Sequence, residues 1–255
     1  MLELNQLYNM DCMEGMKAFP NKYFDLAIVD PPYFQIKGSF DFIWKSFDEY
    51  MFWTENIINE IGRLLSDRGS LYLWGMLGLN DKTYTIIEQA RIINKSFEFR
   101  NFITWEREAS RHPPKNWAMC NEHLLYFTKS DDYVFNRVAS LDKRPSNGGY
   151  QMRSIRKRGV HKYATNVWSD LARVGALSKE YTLHPTQKPI NVCTRIIEAS
   201  SNKGEKILIP FGGSGSECLA AISAERDWVA FEIDKDYYEA ASKRIENHKM
   251  QLKLF

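Results

Sequence analysis

The amino-acid sequence predicts an α/β protein built on a mainly parallel β-sheet. Short apolar runs typical of buried strands alternate with segments whose apolar residues recur at helical spacing, first up to residue 128 and again after residue 182. This alternation places successive strands parallel, because each helix carries the chain back across the sheet. The length of 255 residues fits one large α/β domain or two small ones, and the 44% apolar and 26% charged shares are those of an ordinary globular protein.

Two segments illustrate the pattern in the first half of the chain. The run FDLAIVD (24–30) is almost wholly apolar, which predicts a short buried strand. In residues 47–65, Phe52, Ile57 and Ile61 recur at helical spacing, and the Asp-Arg-Gly sequence at 67–69 breaks the pattern. The predicted elements of this half are strands at 24–30, 70–75, 99–105 and 123–128 and helices at 47–65 and 81–93.

Residues 136–182 lose this alternation, which indicates an irregular insertion rather than an independent fold. Within them, the segment 137–162 carries eight basic residues and one acid, a balance of +7 in a chain whose net charge is only +2. A solvated loop is the usual meaning of such a run. Its Gly148, Gly149 and Tyr150 fit a loop that contacts phosphates equally well, and both interpretations stay open at this point.

The last third of the chain resumes the alternation and contains a glycine-rich turn, PFGGSGS (210–216). The predicted elements are helices at 189–200, 217–225 and 236–249 and strands at 206–209 and 228–234, with Pro189 at the first helical position. The turn lets a ligand approach the backbone near a helix N-terminus, and Glu232 at the end of the next strand suits the two hydroxyls of a ribose. A dinucleotide site would need a third glycine where Cys218 stands, so a single adenosyl group is favoured.

A second motif, HPTQKP (184–189), precedes the helix at 189–200. Its Thr186, Lys188 and open backbone N–H groups could hold a carboxylate. A plain helix entry explains the same residues, and spacing alone favours that simpler explanation.

The sequence indicates neither export nor membrane insertion. Its N-terminus has no basic region followed by an apolar core, and no apolar run approaches the roughly 20 residues that span a bilayer. The four cysteines form no CxxC pair, so neither a zinc site nor a disulfide framework is indicated. We therefore expect a cytoplasmic protein with reduced thiols, no bound metal and no membrane partner.

Three motifs taken together resemble a known family. DPPY (30–33), HPTQKP (184–189) and PFGGSGS (210–216) are similar to those of the S-adenosylmethionine-dependent DNA amino-methyltransferases. The order, with DPPY first and the cofactor turn last, is that of the β group, typified by small restriction-modification and orphan adenine methyltransferases. Asp11-Cys12 resembles a further family element. Ile209 is a departure, because the family usually has an aspartate there, beside the amino-acid end of the cofactor.

The resemblance implies a class I methyltransferase fold, which is α/β with a mostly parallel, doubly wound sheet and an irregular target-recognition insertion. It divides the chain into a catalytic half (1–135), a basic recognition insertion (136–182) and a cofactor-binding half (183–255). The catalytic residues that it implies are Asp30, Pro31, Pro32 and Tyr33. The residues that it implies for S-adenosylmethionine are Asp11, Cys12, Asp30, His184, Thr186, Lys188, Pro210, Phe211, Gly212, Gly213, Ser214, Gly215, Glu232 and Ile233. The residues expected to contact DNA are Phe34, Arg153, Arg156, Lys157 and Arg158.

The DPPY motif suits methyl transfer to the N6 amine of a flipped adenine. The lone pair of that amine is delocalised into the ring and must be directed at the methyl group before it can attack. Two acceptors for the N–H bonds, the Asp30 carboxylate and the Pro31 carbonyl, favour the tetrahedral geometry at nitrogen that allows this. The base must leave the stack to reach them, and Tyr33 is expected to stack on it. The alternatives are a cytosine-N4 enzyme, which more often carries serine at position 30, an enzyme that acts on structured RNA, and a catalytically silent DNA-binding relative. The expected partners are double-stranded DNA and S-adenosylmethionine, and the resemblance also allows a homodimer and a cognate restriction endonuclease.

Overall fold

The computed structural model describes residues 1–35, 39–76, 84–107, 114–115, 117–143, 161–175, 178, 180–182 and 184–252. Its strands are β1 Gln6–Asn9, β2 Phe24–Val29, β3 Leu65–Gly75, β4 Glu98–Glu106, β5 Asn121–Thr128, β6 Ala139–Lys143, β7 His161–Tyr163, β8 Val167–Trp168, β9 Lys206–Ile209 and β10 Asp227–Glu232. Its α-helices are α1 Cys12–Met16, α2 Phe47–Leu64, α3 Thr85–Ile93, α4 Ile190–Ser200, α5 Ser216–Ser223 and α6 Lys235–Leu252. A 3₁₀ turn covers Ser39–Phe42.

Eight strands form one sheet in the order β1-β10-β9-β2-β3-β5-β4-β8. The pairs from β1 to β3 are parallel, β5 runs antiparallel to both of its neighbours, and β8 pairs parallel to β4. The prediction of a mostly parallel α/β sheet is therefore confirmed, with β5 as the reversed strand. β6 and β7 pair separately as an antiparallel ribbon.

Helices cover both faces of this sheet. Side chains alternate along a strand, so Leu26 and Ile28 of β2 join one apolar cluster and Ala27 and Val29 join the other. Residues of α4, α5 and α6 fill the first cluster, and residues of α1, α2 and α3 fill the second. The sheet is thus doubly wound, as predicted.

The strand order reverses between β9 and β2. From β9 the chain passes through α5 to β10 on one side, whereas from β2 it passes through α2 to β3 on the other. The two connections diverge at this point and leave a crevice outside the carboxyl ends of the strands, which is where open α/β sheets bind ligands. Asp30 follows β2, the glycine-rich turn follows β9, and Glu232 ends β10.

Several element boundaries differ from the prediction. β1 and α1 were not predicted, and β3 begins at Leu65, directly after α2, because its first residue pairs with Phe24 of β2. Pro189 is the N-cap of α4 with extended backbone (ψ 143°) rather than its first helical residue.

The insertion 136–182 is less irregular than predicted, since it contains β6, β7 and β8. Both of its ends are also bonded to α4. Near its start, Asn136 Nδ2 donates to the carbonyls of Glu198 (3.0 Å) and Ser201 (3.1 Å). Near its end, Asp170 forms a buried bidentate ion pair with Arg195 at 2.6 and 2.7 Å. The hydrogen bonds from Arg195 lower the pKa of Asp170 despite its burial, so this pair is ionised at neutral pH.

Candidate active site

A cavity of about 500 Å³ lies in the crevice outside the ends of β2, β9 and β10. Its walls include residues from both halves of the chain, far apart in sequence. The predicted residues that line it are Asp11, Cys12, Asp30, Pro31, Pro32, His184, Thr186, Lys188, Pro210, Phe211, Gly212, Gly213, Ser214, Glu232 and Ile233. The fold therefore brings the DPPY motif, HPTQKP and the glycine turn to one place.

Asp30 lies at the centre of a buried polar cluster at the end of β2. Its Oδ2 accepts from Lys188 Nζ at 2.7 Å, and its Oδ1 accepts from the Tyr33 hydroxyl at 3.0 Å. Lys188 Nζ also lies 3.4 Å from Glu122 Oε2 of β5, and Glu122 pairs with Arg107 at 2.7 Å on its outer side. Lys188 is only 2% exposed, so its charge is balanced by the two carboxylates rather than by water.

Burial and charge act in opposite directions on this cluster. Burial alone would lower the pKa of Lys188, but Asp30 and Glu122 outweigh it and raise the pKa above its usual range. Burial raises the pKa of Asp30, and the ion pair with Lys188 offsets part of that rise. Lys188 is therefore charged at neutral pH and favours the ionised form of Asp30.

The backbone that follows Asp30 is fixed by α2 and by the 3₁₀ turn. The Tyr50 hydroxyl donates to the Pro32 carbonyl at 3.0 Å and accepts from Gln89 Nε2 at 3.0 Å. The backbone N–H of Tyr33 donates to the buried carboxylate of Asp41 at 2.6 Å. In the part of the chain that the structure describes, no hydrogen bond ends on the Pro31 carbonyl.

The two aromatic residues of this stretch are more buried than the sequence suggested. Tyr33 is 7% exposed, and its hydroxyl is bonded to Asp30. Phe34 is 6% exposed and packs in an aromatic cluster against Phe47 and Tyr50, with ring centroids 5.6 and 5.5 Å away. In this structure the ring of Phe34 therefore stabilises the loop from inside, and its contact with DNA stays a prediction.

The glycine turn brings backbone N–H groups to the end of β10. Gly213 has φ +49° and donates its N–H to Glu232 Oε2 at 2.8 Å. The other oxygen of Glu232 accepts from the N–H of Asp234 at 2.8 Å. A Cβ on Gly212 would lie 2.7 Å from a methyl group of Leu7, so a larger residue there would displace the core. Gly215 (φ +77°) is the N-cap of α5 and does not line the cavity.

Other predicted residues hold the cavity walls. Asp11 is the N-cap of α1 and accepts from the N–H groups of Met13 (2.8 Å) and Glu14 (3.2 Å). Burial raises the pKa of the neighbouring Cys12 to about 12, so its thiol is neutral. The His184 ring packs edge-on against Tyr237 of α6, with centroids 4.6 Å apart.

Some cavity residues were not predicted from the sequence. Trp53 of α2 packs against Phe211, with centroids 5.8 Å apart, and Tyr237 and the buried Glu217 also face the space. Trp53 and Tyr237 belong to ordinary helix patterns, and only their placement in the fold shows their role. The basic cluster Arg153, Arg156, Lys157 and Arg158 lies outside the described residues.

Comparison with known proteins assigns this arrangement to a family. A family model for DNA methylases of the N6 and N4 type matches residues 24–243. The DNA adenine methyltransferase YhdJ of Escherichia coli strain K12 is 31% identical over 253 residues, covering 96% of this chain and 83% of the relative. The type II methyltransferase M2.MboI of Moraxella bovis is 28% identical over 255 residues, covering 93% of this chain and 86% of the relative.

Solved structures show the same fold. A complex of M1.HpyAVI with S-adenosylmethionine matches with a TM-score of 0.65 at 25% identity, covering 94% of this chain and 98% of that one. The cytosine-N4-specific PvuII DNA methyltransferase matches with a TM-score of 0.71 at 16% identity, covering 95% and 90% of the two chains.

The doubly wound sheet and the cavity at its switch point thus define a class I methyltransferase. The chain belongs to the DNA methylase family of N6 and N4 amino-methyltransferases, and it uses S-adenosylmethionine as its methyl donor. No helix in the described ranges is long and apolar enough to cross a membrane.

Proposed function

We propose that this protein is an adenine-N6 DNA methyltransferase that acts on a specific double-stranded sequence. The observation that carries the proposal is the position of Asp30 in the switch-point cavity, with its carboxylate bonded to Lys188 and Tyr33. Family members that methylate cytosine N4 more often have serine at this position. The 31% identity to a relative named as a DNA adenine methyltransferase also favours adenine.

The residues of the cavity fit the proposed cofactor. Glu232 ends β10 with a half-buried carboxylate that suits ribose hydroxyls, and Phe211 and Ile233 offer apolar surface for a purine ring. Gly212 and Gly213 line the space, and the positive φ of Gly213 lets the backbone approach it without a side chain in the way. When bound, S-adenosylmethionine supplies an activated methyl group.

Asp30 would act on the amine of the flipped base. An ionised carboxylate has about four acceptor sites, and the bonds from Lys188 and Tyr33 use two of them. The remaining sites can accept an N–H of the adenine amine, with the Pro31 carbonyl as the second acceptor. Asp30 would then stabilise the positive charge that develops on the nitrogen, and Lys188 keeps the carboxylate ionised for that purpose.

Other parts of the chain have proposed roles in binding DNA. Tyr33 would stack on the flipped base, which requires the face of its ring to become accessible. The insertion 136–182 would recognise the target sequence. It lies in the chain between a catalytic half (1–135) and a cofactor-binding half (183–255), which is the order of motifs in the β group. One relative carries a type II name, so a cognate endonuclease in the same cytoplasm fits the proposal. The proposal extends to a homodimer, which measurement of the oligomeric state in solution would test.

The test is transfer of labelled methyl from S-adenosylmethionine to DNA, followed by identification of the modified nucleoside. We expect N6-methyladenine from the wild type and none from Asp30→Asn, which keeps the shape of the side chain and should still bind the cofactor. Labelled N4-methylcytosine would show that the base is misassigned. Turnover by the folded Asp30→Asn protein near the wild-type rate would show that the amine acceptor lies elsewhere.

A further inference from the structure

Glu217 is a buried acid in the cavity to which the resemblance assigned no role. It lies in the first turn of α5, directly after the glycine turn, and is 5% exposed. Its Oε1 accepts from the Cys193 thiol at 3.5 Å, and thiols are weak donors. Among the described residues, no ion pair includes Glu217, although its carboxylate is close enough to Asp30 and Lys188 to feel their charges.

The other acids that line the cavity already have donors. Asp30 is bonded to Lys188 and Tyr33, Glu232 accepts from two backbone N–H groups, and Asp11 caps α1. Asp234 accepts from the N–H groups of residues 236 and 237. Among the described residues, Glu217 accepts only from the Cys193 thiol and its own backbone N–H, so its carboxylate is the cavity acid best placed to receive a cation.

The strand that precedes the glycine turn ends in an apolar residue. Position 209, at the end of β9, is an isoleucine that is fully buried in the same apolar cluster as Cys193 and Cys218. The end of β9 therefore contributes no charge to the cavity, and Glu217 is the first acid that follows it in the chain.

We propose that the Glu217 carboxylate binds the cationic methionine end of S-adenosylmethionine. The inference rests on the proposed placement of the cofactor in this cavity, with its adenosine towards Glu232 and its methionine end towards Lys188 and Glu217. A positive ligand group would give this buried carboxylate a direct ion-pair partner, which none of the described side chains provides.

This arrangement makes cofactor affinity depend on pH. Burial, with a further contribution from Asp30, raises the pKa of Glu217 to about 7 in the free protein. Only the ionised form attracts a cation, so affinity should be full above neutral pH and fall as pH decreases through that value. The titratable or charged groups around Glu217 are Asp30 at the end of β2, Lys188 before α4, Cys193 on α4, Cys218 on α5 and Arg244 on α6.

Calorimetric binding of three ligands tests the inference. S-adenosylmethionine and S-adenosylhomocysteine both carry the methionine-derived ammonium, and methylthioadenosine lacks the amino-acid part. The measurements are made between about pH 5.5 and 7.5, below the usual range of an α-amino group, so that the ligand ammonium stays charged. For the wild type we expect S-adenosylmethionine affinity to fall about 25-fold as the pH decreases from about 7.5 to 5.5, while methylthioadenosine affinity stays constant.

The matched variant is Glu217→Gln, which removes the charge and keeps the shape. At the upper pH it should weaken S-adenosylmethionine about tenfold, leave methylthioadenosine unchanged, and show no pH dependence from this site. The variant retains the other titratable groups of the cavity, such as His184, Asp30 and Glu232, so a pH dependence that persists belongs to one of them and overturns the inference. Equal weakening of all three ligands would also overturn it, because it would indicate a purely structural role.

Folding of the variant is checked by its thermal midpoint, which should be equal to or above that of the wild type because a buried charge is removed. If Glu217→Gln does not fold, the wild-type pH profiles decide the question alone. A wild type that binds none of the three ligands would refute the proposed cofactor site itself. A wild type that binds them with no difference in pH dependence between S-adenosylmethionine and methylthioadenosine would refute only the role of Glu217.

Discussion

Replacing Lys188 with methionine should destabilise the protein strongly and in a pH-dependent way. The substitution removes the ammonium that lies 2.7 Å from Asp30 and 3.4 Å from Glu122, and it leaves both carboxylates buried. With an effective dielectric constant of about 20, these two contacts amount to about 6 and about 5 kcal/mol of attraction. Desolvation of the charges offsets much of this, and removing one partner of a buried pair costs about 3–5 kcal/mol in practice.

The loss should appear as a lower thermal midpoint. For a chain of this size each kcal/mol corresponds to about 2–4 °C, so we expect a decrease of about 6–20 °C at neutral pH. Without Lys188 the pKa of Asp30 in the folded state rises further above its unfolded value. A buried acid with a raised pKa destabilises the fold once pH exceeds the unfolded value, so the deficit should grow from about pH 5 to pH 8.

The assay is thermal unfolding of the wild type, Lys188→Met, Asp30→Asn and the double variant at about pH 5.5 and 8. In the double variant residue 30 carries no charge, so the loss of Lys188 no longer leaves an unpaired carboxylate at that position. The double variant should therefore be more stable than the sum of the two single effects predicts. A decrease below about 2 °C for Lys188→Met at both pH values, with additive effects in the double variant, would refute the buried ion pair.

Three further predictions concern the cofactor, the catalytic loop and DNA. Glu232→Gln should raise the dissociation constant of S-adenosylmethionine about 10- to 150-fold, since charge-assisted bonds contribute about 1.5–3 kcal/mol; unchanged affinity in calorimetry would contradict it. Tyr50→Phe removes the hydroxyl that fixes the Pro32 carbonyl, so it should lower the free energy of unfolding in urea by about 1–3 kcal/mol and also lower kcat. The control is Tyr181→Phe, at a position that is 51% exposed, and it should change neither quantity. Equal behaviour of these two variants would show that the loop does not depend on Tyr50. The basic cluster consists of Arg153, Arg156, Lys157 and Arg158. Replacing all four with glutamine should weaken DNA binding at all sequences and reduce the salt slope of the affinity by about one per lost phosphate contact. An unchanged slope would show that the cluster is a solvated loop.

The sequence predicted the fold well where the pattern is local. Strands such as 24–29 and 206–209 and the helix beginning at Phe47 are apparent from periodicity alone. β1 has four residues, and its partner β10 lies at the other end of the chain, so no local pattern marks it. The reversed direction of β5 is likewise invisible, because an apolar run has the same composition in either direction.

The residues of the candidate site that belong to motifs were predictable from the sequence. The residues whose role depends on tertiary packing were not. Asp30, Lys188 and Glu232 were identified by their motifs, and the fold brings all three to one cavity. The burial of Phe34 was not foreseen, since it depends on aromatic side chains of α2 that only the tertiary structure brings near. Glu217 was counted as an ordinary residue at a helix start, because nothing local distinguishes a solvated carboxylate there from a buried one.

The attachment of both ends of the insertion to α4 has an evolutionary consequence. Asn136 and Asp170 are bonded to the same helix, so the chain leaves the scaffold and returns to it at fixed points. The part of the segment between these anchors that precedes β8, which includes the separate β6–β7 ribbon, can then change in length and sequence without disturbing the main sheet or the cavity at its switch point. If this segment recognises the target, as proposed, its exchange as a unit would change the target sequence while Asp30, Lys188 and the glycine turn keep their positions.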